Sequence, residues 1–221
     1  MKTIAVILPL NNPDILKQAD LDSYQSDDYY FKVYYIDTLL KEINTAEEAA
    51  TLLPLVVKKA EQAAKEGASA IIVFAFGDLG VLESRSILNI PVMALGNAGI
   101  HKASRLTQKK FTVLPGMLAH NEFIHAMITE EKLMSNYNLA KHSPELSLAQ
   151  IRKNPETLQK LIETASLEIL KNDIDTFTLG CGSFIGISKP LENALQEKFG
   201  TSIKVVDSID TTFELAKTLA S

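Results

Sequence analysis

The chain has 221 residues, 46% hydrophobic and 22% charged, a composition that excludes intrinsic disorder and allows one large α/β domain or two lobes of about 100 residues each. Its 22 Lys and Arg against 27 Asp and Glu give a net charge of -5, too little positive field to hold a phosphate backbone, so no nucleic acid is expected as a partner. A single cysteine, Cys181, rules out an internal disulfide and a Cys-rich zinc site and fits a reducing, cytoplasmic setting.

In chain order, the apolar run Ile4 to Leu10 follows Lys2 and leads into Asn11, Asn12, Pro13 and Asp14. That is no cleavage site for a signal peptide, so the run predicts a first buried strand. Strands are predicted at Thr3 to Leu8, Phe31 to Ile36, Ala70 to Phe76, Val92 to Leu95, Phe111 to Leu114, Thr176 to Gly180 and Lys204 to Val206. Most are apolar on both faces, which calls for parallel sheets covered by helices on both sides. None approaches the roughly 20 residues that cross a bilayer, and no membrane partner is expected. Ala46 to Glu66 has helical spacing, with Thr45 and Glu48 as a capping box and Gly67 as a stop. Pro155 to Lys171 predicts a second long helix capped by Asn154, and Asp207 or Ser208 a cap for the last one, Asp210 to Ala220. The order strand, glycine turn, helix, strand recurs after about 105 residues.

The second copy of that unit contains Gly180-Cys181-Gly182-Ser183, where an apolar strand ends and a helix has not begun. In open α/β sheets this edge faces the ligand crevice, glycines let a ligand approach the backbone, and amides at a helix entrance favour an anion. A buried, inert cysteine is the competing reading. Gly180, Gly182 and Gly186 are spaced one residue too widely for a dinucleotide fingerprint, and no phosphate-binding G-x-x-x-x-G-K-[ST] loop or G-x-S-x-G elbow occurs. His101, His120, His125 and His142 lack metal-binding spacing, so no metal is expected.

The run Ile72-Val73-Phe74-Ala75-Phe76-Gly77-Asp78-Leu79-Gly80, with Pro91-Val92, Ala98 and Phe111-Thr112-Val113, resembles the hydantoin racemase branch of the aspartate/glutamate racemase superfamily. Gly180-Cys181-Gly182-Ser183-Phe184 is similar to that family's second cysteine motif, and Val205-Val206-Asp207 to the strand after it. The resemblance implies an α/β fold of two pseudo-symmetric lobes with mainly parallel sheets and an interlobe cleft. The lobes are expected at residues 1–97 with 207–221 and at 98–206. It also implies no cofactor, and one cysteine on each wall exchanging a proton at the α-carbon of a small carboxylate, amino acid or hydantoin-type ligand. Cys181 would be the acid/base. Pro9, Asn11, Asn12, Ala75, Phe76, Gly77, Asp78, Pro115, Gly116, Gly182 and Ser183 would bind substrate, with the Ala75 to Asp78 loop facing Cys181.

The chain departs from the pattern in three places. Ala75 occupies the first cysteine position, Leu8-Pro9-Leu10 replaces an Asn-Pro-Asn signature, and Pro115-Gly116 stands where the family usually has Thr. Racemisation then needs a second base, for which Asp78, His120 and the Asn11 to Asp14 loop are the places to look. Two further readings stay open. Arylmalonate decarboxylase, in the same superfamily, keeps only the second-half cysteine, and an inactive small-molecule binder would keep neither role. A homo-oligomer is compatible with the chain.

Overall fold

The computed structural model describes residues 1–43, 45–200 and 202–221, with the backbone alone at 119, 148 and 149. The chain divides into two compact units, Met1–Leu95 with Thr212–Ser221, and Gly96–Thr211.

The elements run β1 (Lys2–Leu8), β2 (Tyr29–Tyr35), α1 (Ala46–Lys65), β3 (Ala68–Val73), α2 (Val81–Ile87), β4 (Val92–Ala94) and α3 (Leu95–Leu106). They continue as β5 (Lys110–Leu114), α4 (Asn121–Glu130), α5 (Leu148–Lys153), α6 (Thr157–Asn172), β6 (Ile174–Leu179), α7 (Ser188–Phe199), β7 (Lys204–Val206) and α8 (Ser208–Ala220).

The first unit is built on a parallel sheet in the order β2-β1-β3-β4. Ile4 to Leu8 and Ala70 to Val73 in its two central strands are buried, as strands covered on both faces must be. Thr45 and Glu48 form the expected capping box on α1, and Leu52, Val56, Ala60 and Ala63 make its buried stripe. The last turns of α8 pack in this unit: Phe213 stacks on Phe31 at 4.7 Å, and the Tyr29 hydroxyl donates to Lys217 O. Both phenylalanines are fully buried, each contributing about 1.5–3 kcal/mol.

The second unit holds the parallel sheet β5-β6-β7. A fourth segment runs beside β5: Phe111 and Tyr137 form an isolated parallel bridge, Phe111 N donates to Asn136 O, and Asn138 N donates to Phe111 O. Each unit therefore has the same internal order, with an outer segment beside the first strand and two strands on its other side.

All seven expected strands are present, Lys204–Val206 with the expected ends and the other six with shifted ones. The third closes at Val73 rather than Phe76, because Ala75 N turns back to donate to Val73 O at 2.8 Å. The second long helix begins at Thr157 rather than Pro155. Asn154 builds a separate turn instead of a cap, its side chain accepting from Glu156 N and its carbonyl from Thr157 N. The last helix starts two residues early, at Ser208, because Asp207 Oδ1 accepts from both Ile209 N and Asp210 N. Among the described residues no helix is long and apolar enough to cross a membrane.

Candidate active site

β6 is buried along its whole length and delivers the chain to Gly180 and Cys181. Gly180 is required by a close approach: a Cβ there would lie 2.9 Å from Val113 Cγ1 and 3.2 Å from Leu114 O. Its N–H donates to Leu114 O at 2.9 Å, which ties the ends of β5 and β6 together. Gly180→Ala should therefore cost about 1–3 kcal/mol, read as a lowered midpoint in denaturant unfolding. Gly77→Ala is the control, since nothing lies within 4 Å of the Cβ it would add.

After Gly180 the chain makes a single 3-10 turn, Gly182–Phe184, with Cys181 as its N-cap. The Ser183 N–H donates to Cys181 Sγ at 3.3 Å, and the Phe184 N–H to Cys181 O at 3.2 Å. Cys181 is 8% exposed and joins the buried cluster with Leu114, Leu179 and Phe184. An N–H aimed at sulfur stabilises negative charge there, which an apolar wall alone does not. Gly182 and Ser183 are buried in the same turn, and Pro115 and Gly116 are buried at the end of β5. Gly116 is held by the 143–151 segment, its carbonyl accepting from Leu146 N at 2.9 Å. Cys181, Gly182, Ser183, Pro115 and Gly116 thus share the carboxyl edge of one sheet, in the second unit.

The remaining expected site residues belong to the first unit. Pro9 is buried just past β1, Asn11 is exposed, and Asn12 is engaged in its own loop, its side chain accepting from Asp14 N at 3.1 Å. Past β3, Phe76 is buried, whereas Ala75, Gly77 and Asp78 are half-buried. Ala75 O accepts from Leu95 N, and Asp78 O from Val81 N.

The two sheet edges correspond in register. Val73 ends β3 and Leu179 ends β6, with Ala75 and Cys181 each following by two residues. Leu8 ends β1 and Leu114 ends β5, with Pro9 and Pro115 each following by one. Every one of these pairs is 106 positions apart. Leu8-Pro9 and Leu114-Pro115 were the signal in the sequence that could have fixed this repeat, and with it Ala75 as the counterpart of Cys181.

Two of the histidines are paired with carboxylates: His101 Nε2 lies 2.8 Å from Glu131 Oε2, and His142 Nδ1 2.7 Å from the buried Glu168 carboxylate. His125 is exposed, and His120 precedes α4. Among the described residues no group of three His, Cys, Asp or Glu converges as a metal ion would need. Burial, with Glu168 adding to it, pushes the Tyr137 phenol well above its usual range, so it stays protonated.

Comparison with known proteins fits this doubled architecture. A model of the Asp/Glu/Hydantoin racemase family matches residues 18–216. The chain belongs to this family.

Among curated relatives, the hydantoin racemase of Pseudomonas sp. (strain NS671) is 21% identical over 175 residues, covering 76% of this chain and 64% of that protein. The match thus spans a little under two thirds of that relative. The hydantoin racemase of Paenarthrobacter aurescens is also 21% identical, over 75% of this chain and 67% of the relative. Allantoin racemase from Klebsiella pneumoniae shares the fold with a TM-score of 0.86 at 16% identity, over 99% of this chain and 87% of that one. Arylmalonate decarboxylase shares it with a TM-score of 0.68 at 16% identity, over 99% and 92%. This family fold, with its parallel sheets, is the one expected from the sequence.

Proposed function

We propose that the protein is an enzyme that moves a proton at the carbon next to a carboxylate or ring carbonyl of a small acid, amino acid or hydantoin, without a cofactor and with Cys181 as acid/base. One observation carries this reading: the chain's only thiol sits past a strand end with a backbone N–H on its sulfur, in a family named for racemases. In the reaction, the thiolate takes the α-proton as the C–H electron pair moves into the adjacent carbonyl, forming an enolate. The thiol then returns a proton to carbon and the carbonyl reforms.

A single thiol serves one face of that carbon. Inversion needs a second base on the other face, and the repeat counterpart of Cys181 is Ala75. That alanine favours a second reading, one-sided decarboxylation. There the C–C bond to a carboxylate breaks, carbon dioxide leaves, and the enediolate takes its proton from the Cys181 thiol, which water then reprotonates.

The test follows single enantiomers of hydantoins and amino acids in heavy water, by NMR for the α-proton and by optical rotation. One-thiol chemistry predicts α-deuterium uptake with rotation retained. Loss of rotation reveals a second base, to be sought at Asp78, His120 and the Asn11 to Asp14 loop. Carbon dioxide released from a substituted malonate identifies the decarboxylase. Absence of all three activities overturns both readings and leaves a small-molecule binder.

A further inference from the structure

β2 is an outer strand of its sheet, seven residues long, and reads Tyr29-Tyr30-Phe31-Lys32-Val33-Tyr34-Tyr35. Five of the seven are aromatic, one is charged, and none is Pro or Gly. A segment of that composition on an open edge is a template for strand addition, above all by an identical strand, because like side chains then stack in register. Lys32, the charge that would repel such a neighbour, is paired with Glu66 of its own unit at 3.0 Å.

The edge is closed. Asp28 O and Ile36 N bond to Lys2 N and Leu8 O of β1, so the odd-numbered residues turn their backbone groups away from the sheet. From Tyr29 N to Val33 N these outward groups are all taken by the segment that precedes the strand. Ser26 serves Tyr29, its Oγ accepting from Tyr29 N and its own N–H donating to Tyr29 O. Gln25 serves Phe31: Oε1 accepts from Phe31 N at 2.7 Å, and Nε2 donates to Phe31 O at 3.1 Å. Gln18 Nε2 donates to Phe31 O at 2.7 Å while its Oε1 accepts from Val33 N at 3.0 Å. Those last two bonds are the pair that one residue of an added parallel strand would make. Both glutamines are half-buried and flank a 3-10 turn, Gln18–Tyr24, that the fully buried Leu21 anchors.

The other outer strands are shorter, and groups on their outer sides are bonded by other means. Arg85 Nε donates to Val92 O on β4, and the 136–138 backbone runs beside β5. At β7, Gln196 Nε2 donates to Ile203 O and Glu192 Oε2 accepts from Val205 N.

We infer that the edge of β2 is a latent self-association surface, and that Gln18 and Gln25 close it against the β2 edge of a second copy of this chain. The inference uses no residue of the candidate active site and stands apart from the catalytic reading.

Gln18→Met with Gln25→Met, made together in the full chain, tests it. Methionine keeps the length of both side chains and removes all four amide hydrogen bonds. Circular dichroism should show the fold retained. In dilute solution, hydrogen exchange at the Phe31 and Val33 amides should quicken about tenfold, because their acceptors are gone. As concentration rises, light scattering should show a mass growing beyond that of the native protein, with protection of the same two amides restored. Adding Val33→Pro removes an outward donor and should return the mass to the native value. A mass that stays native at every concentration overturns the proposal. So does growth that leaves Phe31 and Val33 unprotected or survives Val33→Pro, which would be attraction between the methionines. A double variant that cannot fold overturns it as well, since the amides would then hold the native structure together rather than cover its edge.

Discussion

Cys181→Ala is expected to lower turnover by about 10² to 10⁴-fold, the usual contribution of a positioned acid/base. No other thiol exists in the chain to replace it. Because Cys181 packs in a buried cluster with Leu114, Leu179 and Phe184, losing its sulfur also opens a small void. That costs about 1 kcal/mol and lowers the melting temperature by about 2–4 °C for a chain of this size. The two effects differ enough to be told apart: a catalytic role appears as a large loss of rate in a folded protein, measured as α-deuterium uptake beside a circular-dichroism melt. Cys181→Ser sharpens the comparison, since it refills the void with a hydroxyl far too weak an acid to replace the thiol. If either variant retains native turnover, Cys181 is only a core residue.

The strands were legible because their burial on both faces leaves a continuous apolar run, and α1 because Thr45 and Glu48 mark its start. Their ends were less legible, since they depend on local backbone pairing. Val73 ends β3 through a turn made by Ala75, and Asn154 makes an Asx turn where a cap was expected. The 136–138 segment beside β5 escaped notice altogether. Asn136, Tyr137 and Asn138 show no apolar alternation, and what holds them there includes the backbone of Phe111, the Thr112 hydroxyl, which donates to Asn138 O, and Ser104 O, which accepts from Asn136 Nδ2.

The site divides in the same way. Glycines on either side of a lone cysteine at the end of an apolar run marked the place, and Gly180 proves to be dictated by contact with Val113. The N–H on Cys181 Sγ had no signature in the sequence, since it depends on where a turn of three residues directs its amides.

Ala75→Cys should change the stereochemical outcome rather than only the rate. Position 75 follows β3 by two residues, as Cys181 follows β6, and the two lie at the same offset as Pro9 and Pro115. The substitution therefore puts a thiol at the repeat counterpart of the native one. Ala75 is half-buried, so the added sulfur displaces solvent more than core and should leave stability within about 1 kcal/mol. On the proposed one-thiol chemistry the α-proton is taken and returned on one face, so deuterium is expected to enter with rotation retained. With a second thiol the proton removed on one face can be replaced from the other, and deuterium uptake should be accompanied by decay of optical rotation at a comparable rate. Cys181→Ala in the Ala75→Cys background should abolish that decay, because inversion requires both groups. Exchange that keeps its retention in a folded Ala75→Cys variant would show that the two repeat positions do not act on one carbon. Native protein that already loses rotation would show that a base other than a thiol fills the second role, and Ala75→Cys should then add little to the rate.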